Sequence, residues 1–380
     1  MTGRSVGTGE LLYKPMHTFA RQRPRASVRR LTLLLLCAAL LPSSASAQEQ
    51  LTIRSDFLFY GDNTEFRNPF REGETIFGAA FRVTAELALN DRVTVSAGGF
   101  ASQRFGSEMA FEQARPVLSL TVRGRRSAFV FGTLPPLTSE LPVGPDRNGP
   151  HALLPPLQRE SLAYDRPYET GLAWTFNGSD LHHHFWLEWQ RLNTVEHRER
   201  FDGGLRTSYR LSNHLTLPLQ LHVVHEGGQL HQSGAVADSA AIATGAIVGG
   251  TIARRYAATL ELFALGSRDV PDRSVPNLSR DGTAFFGRAA AERSGWRGHV
   301  IFWRGRNFIK DEGDLNYQSI TRSDDRYLGT RDYAEAGLTR RFTLARAAVL
   351  DVAGRLHRVE GRYEYSYRIL SVVSASWKIR

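Results

Sequence analysis

Residues 79–89 read AAFRVTAELAL. Ala79, Phe81, Val83, Ala85, Leu87 and Leu89 recur at every second position, with Arg82, Thr84 and Glu86 between them. Successive side chains leave opposite faces of a strand, so a period of two places one face in a greasy medium and the other in water. The same alternation returns in HLTLPLQLHVV (214–224), where Leu215, Leu217, Leu219, Leu221 and Val223 oppose Thr216, Gln220 and His222. It returns again after Tyr256, with Leu260 and Leu262 opposing Thr259 and Glu261, and after Ala345, with Leu350, Val352 and Leu356 opposing Asp351, Arg355 and His357.

About sixteen such segments (range 14–18) can be marked, the first near residue 51 and the last near 362. Their connections alternate in length. Leu89-Asn90-Asp91, Gly178-Ser179-Asp180, Ser212-Asn213-His214 and Ser294-Gly295 are tight; 61–73, 134–161, 192–202, 227–238, 267–281 and 305–330 are long. Gly106-Ser107 and Gly361 are short where the alternation asks for length. A soluble β-sandwich also alternates, but its loops need not alternate short and long, and 333 residues would tend to split into domains. The pattern therefore predicts an all-β, closed antiparallel transmembrane barrel with short turns at one end and long loops at the other.

Composition agrees. The chain has 380 residues, 42% hydrophobic, 10% aromatic and one cysteine, Cys37, which excludes a disordered chain and a disulfide scaffold. The +10 formal charge is concentrated in residues 1–47, and the other 333 residues carry only +4, too little to argue for nucleic acid. Arg21, Arg23, Arg25, Arg29 and Arg30 precede LTLLLLCAALL, and Ala45-Ser46-Ala47 follows. Charged region, apolar run and small-x-small site predict a cleaved secretory signal over 1–47, with Met16 an alternative start. Residues 48–380 are expected to form a single barrel domain.

Over that whole length the chain resembles Gram-negative outer-membrane β-barrels of the porin-like type. The segment FYGDNTEFRNPFREGETIFG (59–78) has the look of a family signature with no activity attached. The resemblance implies an outer-membrane location, lipid and lipopolysaccharide as surroundings, the barrel assembly machinery as partner, and a possible homotrimer. Such barrels commonly end on an aromatic residue; here Trp377 is followed by Lys378-Ile379-Arg380.

If Leu, Val and Phe face lipid, then Arg82, Glu86, Arg104, Arg115, Glu188, Arg206, Arg210, Glu261, Arg288, Glu292, Arg297, Glu335, Asp351 and Arg355 face inward and are candidate pore-lining groups. Sixteen strands leave room for an aqueous lumen. The Pro-rich segment 134–161 is the third long connection, which in porins narrows the channel; Glu140, Asp146, Arg147 and His151 are its candidate constriction groups. The expected function is passive diffusion of small hydrophilic solutes with a weak anion preference. An exit channel for an acidic polysaccharide and a non-conducting structural or adhesive barrel stay open as alternatives.

Catalytic signals are weak. His182 and His184 share a strand face, but neither Cys nor a clear third ligand accompanies them, so no metal and no cofactor is expected. A membrane phospholipase would need Ser, His and an orienting Asn converging on the lipid-facing wall, and no motif fixes such a spacing. The chain is accordingly expected not to be an enzyme.

Overall fold

A computed structural model describes residues 50–135, 150–231, 234–252, 256–322, 324 and 326–379. The expected signal segment lies outside them. Sixteen strands run in chain order: β1 (Gln50–Arg67), β2 (Glu72–Ala88), β3 (Val93–Arg104), β4 (Gln113–Arg123), β5 (Ser127–Thr133) and β6 (Thr170–Asn177). Then follow β7 (Leu181–Arg191), β8 (Glu199–Arg210), β9 (Leu215–Gly227), β10 (Ala237–Ile252) and β11 (Tyr256–Val270). The last are β12 (Arg280–Arg293), β13 (Trp296–Arg306), β14 (Thr330–Ala345), β15 (Ala348–Val359) and β16 (Arg362–Ile379). Each strand pairs antiparallel with its neighbours, and β16 closes on β1 from Leu51↔Ile379 to Glu65↔Tyr365. Closure leaves no open sheet edge, the condition for a β-structure to sit in hydrocarbon.

The outward face carries Phe81, Leu260, Leu262, Leu356 and Tyr365, all exposed on the isolated chain. The end with the short turns, where both chain ends of the barrel lie, faces the periplasm, and the long loops face outward. Two of the tight connections are set by backbone handedness. Ser294-Gly295 (φ 50° and 77°) and Glu360-Gly361 (φ 48° and 81°) hold two consecutive left-handed residues, the turn whose twist matches paired strands. That turn chemistry explains why the Gly361 connection is short on the long-loop side.

Alternation does not reveal how full the lumen is. Residues 150–169, including the short helix α1 (Leu162–Asp165), and residues 308–321, including a 3₁₀ turn (Leu315–Tyr317), pack inside the barrel. Leu153, Leu154, Leu157, Phe308 and Tyr317 from these loops join the inward Trp186, Phe263, Phe286 and Trp303 in one buried cluster. Burial of each such large side chain contributes roughly 1.5–3 kcal/mol. The loops are tied to each other as well, through Arg159 N–H to Glu312 O (2.7 Å) and Asp314 N–H to Pro155 O (2.9 Å).

Candidate functional site

Three adjoining strands bring a serine, a histidine, a tyrosine and a glutamate together on the inner wall. Register places Glu335 opposite His357 between β14 and β15, and Leu356↔Tyr365 and His357↔Glu364 put Ser366 beside them on β16. The Ser366 hydroxyl lies 2.8 Å from His357 Nε2. On the other side of the ring, Nδ1 is 2.7 Å from the Tyr333 hydroxyl, and that hydroxyl donates to Glu335 Oε2 at 2.6 Å. Glu335 Oε2 itself stands 3.5 Å from Nδ1. The second Glu335 oxygen is held by His299 Nε2 at 2.8 Å, with Arg355 Nε at 3.6 Å. Ser366, His357, Tyr333 and Glu335 are all buried from bulk solvent, and Phe66 meets the His357 ring edge-on at 4.9 Å.

These groups line an enclosed chamber of about 40 Å³, shared with Asp62, Thr64 and Arg71. Asp62 and Thr64 belong to the 59–78 signature, so β1 completes the chamber. Its ceiling is α1. The Tyr164 hydroxyl donates to the Asp62 carboxylate and its ring stacks on Tyr60 at 5.1 Å. Burial, then the adjoining Asp62 carboxylate, pushes the Tyr164 hydroxyl well above its ordinary pKa, so it stays protonated. Glu160 accepts from Arg355 (2.7 Å) and Arg368 (3.0 Å). Burial alone would raise the Glu160 carboxyl; the Arg355 and Arg368 guanidiniums outweigh it and hold it at about 2. A second space of about 140 Å³, lined by Arg82, Arg355, Arg368, Leu58, Phe100 and Leu370 among others, adjoins the chamber on the periplasmic side.

A separate polar constellation lies across the lumen. Arg166 bonds Glu312 (2.8 Å) and Glu188 (3.2 Å) and stands 3.6 Å from Asp202. His222 Nε2 is 3.3 Å from Asp202, and its Nδ1 is 3.0 Å from the Leu157 carbonyl. Asp202, His222 and Glu312 offer three ligand atoms within 4.8 Å of one another, the grouping best suited to a metal among the described residues. The Arg166 guanidinium already contacts two of these carboxylates, so the arrangement is complete as an ion-pair network. Burial would raise the Glu312 carboxyl, yet Arg166 holds it well below the usual range. Glu169 is pushed up to about 8 by burial and by Asp202, and so carries a proton at neutral pH.

The fourteen candidate lumen residues all stand on the inward parity, in differing company. Glu261 and Arg288 form a bidentate pair (2.8 Å), Asp351 pairs with Arg341 (2.5 Å), and Glu188 engages Arg166. Arg104 reaches Asp165 (3.1 Å), and Arg210 pairs with Asp180 at a periplasmic turn (3.0 Å). Glu292 and Arg297 face each other in register, Glu86 faces Thr52, and Arg115 faces Phe100. Arg82 donates to the Leu134 carbonyl (2.7 Å), and Arg206 borders a cavity beneath His151. Glu335 and Arg355 belong to the chamber beside Ser366 and His357. Of the constriction candidates, Glu140, Asp146 and Arg147 lie outside the described residues. His151 is buried, stacked on Trp186 at 3.8 Å, and its Nδ1 is 3.2 Å from His184 Nε2. Burial lowers its ring pKa to about 3, so it is neutral.

Ser366 and Tyr333 were not singled out by sequence. Parity puts Ser366 and His357 inward, but only the β14–β15–β16 register reveals that they meet.

The family model described as lipid A 3'-O-deacylase-type matches residues 43–380. Among solved structures the chain is similar to OmpTΔL8, a loop L8 deletion mutant of the outer membrane protein OmpT of Vibrio cholerae. The identity is 9%, 86% of this chain and 99% of that one are covered, and the TM-score is 0.53. It is similar to OprD of Pseudomonas aeruginosa (10% identity, 88% and 98% covered, TM-score 0.52) and to OccK8 (OprE) of the same organism (12%, 87% and 98%, 0.51). At such identities the likeness is one of fold. No curated protein sequence matches. The family match overturns the expectation that the chain is not an enzyme. The reason is physical: a relay assembled across three strands leaves no contiguous motif to find.

Proposed function

We propose that this chain, which belongs to the lipid A 3'-O-deacylase-type family, is an outer-membrane ester hydrolase that removes an acyl chain from a lipid A-like glycolipid. The observation that carries the reading is the Ser366–His357–Tyr333–Glu335 relay. Nucleophile and base lie within hydrogen-bond reach, and the base is oriented by a third group, the arrangement that activates a serine.

The hydrogen bonds set the tautomer. Tyr333 donates to Glu335, so its oxygen accepts from His357 Nδ1–H, and Nε2 is left to receive the Ser366 proton. Ser366 Oγ attacks the ester carbonyl carbon as His357 Nε2 takes the hydroxyl proton. The carbon–oxygen bond to the sugar then breaks, and His357 returns that proton to the sugar oxygen. Water attacks the acyl-serine, gives a proton to His357, and releases the fatty acid as Ser366 regains its hydrogen. Glu335, 3.5 Å from Nδ1, stabilises the imidazolium formed in each half. Arg71, Arg355 and Arg368 border the chamber together with Asp62, Glu160 and Asp314, and a guanidinium N–H turned toward the substrate would stabilise the developing oxyanion.

A chamber of about 40 Å³ holds roughly three waters, not an acyl ester. Substrate binding therefore requires α1 and Glu160 to swing from the wall. The test is mass spectrometry of lipid A incubated with the purified barrel in mixed micelles. Loss of one acyl chain with the wild type, and none with Ser366→Ala, supports the reading; equal turnover by the variant refutes it.

A second reading, a solute channel with weak anion preference, is favoured by the sixteen-strand width and the arginine-bordered space of about 140 Å³ on the periplasmic side. Discrete conductance steps in planar bilayers, with a reversal potential displaced toward the anion, would support it. A silent bilayer would leave the hydrolase alone.

A further inference from the structure

The wall formed by β6, β7, β8 and β9 carries a polar patch that the hydrolytic reading leaves unused. In register, Thr175 faces His184, His184 faces Arg206 and Arg206 faces Gln220, one residue from each strand. One step nearer the periplasmic turns, Asn177 faces His182 and His182 faces Ser208. Thr175, Asn177, His182, His184, Arg206 and Ser208 border a cavity of about 160 Å³ roofed by His151, Leu134 and Pro135. At 10–15 Å³ per water centre the space holds on the order of ten waters, ample for a phosphate or carboxylate group.

Among the described residues the charge bordering this cavity is unbalanced. Several other inward arginines are paired with carboxylates, as Arg355 is with Glu160 and Arg288 with Glu261. Among the described residues, no carboxylate engages the Arg206 guanidinium. A cation held away from bulk water without a counter-charge is costly, and an anion that enters recovers that cost. The acidic group bordering the cavity is Glu169, which stands 3.4 Å from His151 Nε2 and carries a proton at neutral pH, so it donates rather than repels. Neutral donors are at hand as well. The Thr175 and Ser208 hydroxyls border the cavity, while His182 Nδ1 is engaged by Asn177 Oδ1 at 3.2 Å.

We propose that this cavity is a binding site for a small oxyanion, phosphate or a short carboxylate, entering from the periplasmic mouth. Arg206 is its counter-charge, and the Thr175 and Ser208 hydroxyls are its hydrogen-bond donors. A guanidinium presents paired N–H groups that match either oxyanion, whereas a sulfate-free, neutral solute gains nothing from it.

The test is titration calorimetry of the folded, detergent-solubilised barrel with inorganic phosphate and, separately, with acetate. Saturable binding of either anion is expected, and which one binds fixes the class. Arg206→Gln should weaken it at least tenfold, with Arg206→Lys intermediate. The Thr175→Val, Ser208→Ala double variant keeps the charge and should weaken binding three- to tenfold; it carries the test if Arg206→Gln does not fold. Heat-dependent gel mobility verifies the barrel in each case. No binding of either anion by the wild type, or wild-type binding by Arg206→Gln and the double variant, overturns the proposal. Lipid A hydrolysis by Arg206→Gln should equal that of the wild type, so failure here is read separately from failure of the hydrolase.

Discussion

Replacing Glu160 by Gln tests how α1 is held over the Ser366–His357 chamber. The carboxylate sits between Arg355 and Arg368 at 2.7 and 3.0 Å, and Gln keeps the size while leaving both guanidiniums short of their counter-charge. The carboxyl falls from 4.5 to about 2 in the folded chain. At 1.36 kcal/mol per pKa unit this is about 3 kcal/mol of preference for the ionised, docked state, consistent with the roughly 3–5 kcal/mol lost when a buried pair is broken. Hydrogen exchange of the amides of Tyr164, Asp165 and Arg166, bonded back to Ser161 and Leu162 at 2.7–3.0 Å, reports the docking locally. The variant should exchange there about a hundredfold faster, with β3 and β11 unchanged. The sign in pH follows from a depressed carboxyl: the contribution is complete above about 4.5 and is lost as pH falls toward about 2. Exchange within threefold of wild type, or an equal acceleration throughout the barrel, would refute this account of α1.

Other outcomes follow from the same coordinates. Arg331 is buried, donates to the Gln318 and Asn316 carbonyls and lies over the Phe70 ring at 3.1 Å, so Arg331→Met should speed tryptic cleavage at Arg322 and Arg326 at least tenfold on peptide mapping. A Cβ on Gly98 would meet the Val83 carbonyl oxygen at 1.9 Å, so Gly98→Val should abolish the compact, heat-modifiable gel band. Lys310 is lowered from 10.5 to about 8 by burial, so the folded chain gives up a proton that the unfolded chain keeps. Stability in urea should therefore rise between pH 8 and 10.5, and Lys310→Met should remove that slope.

The barrel was legible because lipid enforces it: outward positions are predominantly apolar, so strands such as 79–89 and 214–224 announce both their period and their face. Turn residues announced the connections, and Ser294-Gly295 is a turn written in two letters. The contents of the lumen were far less legible. Arg355 read as a pore-lining charge, whereas it braces Glu160 above a chamber, and His151 read as a constriction group, whereas it stacks on Trp186. The relay was hidden for the same reason. Alternation fixes which face a residue occupies but not which residue stands beside it, and Ser366, His357 and Tyr333 are brought together only by register between strands.

The most direct measurement is covalent trapping of the nucleophile. A lipid-like fluorophosphonate reacts with a serine that a neighbouring base activates, and digestion followed by mass spectrometry locates the adduct. The account predicts a single adduct on Ser366, lost in His357→Ala and slowed in Tyr333→Phe. An intact, folded barrel that takes no label, or takes it at another residue, would contradict it.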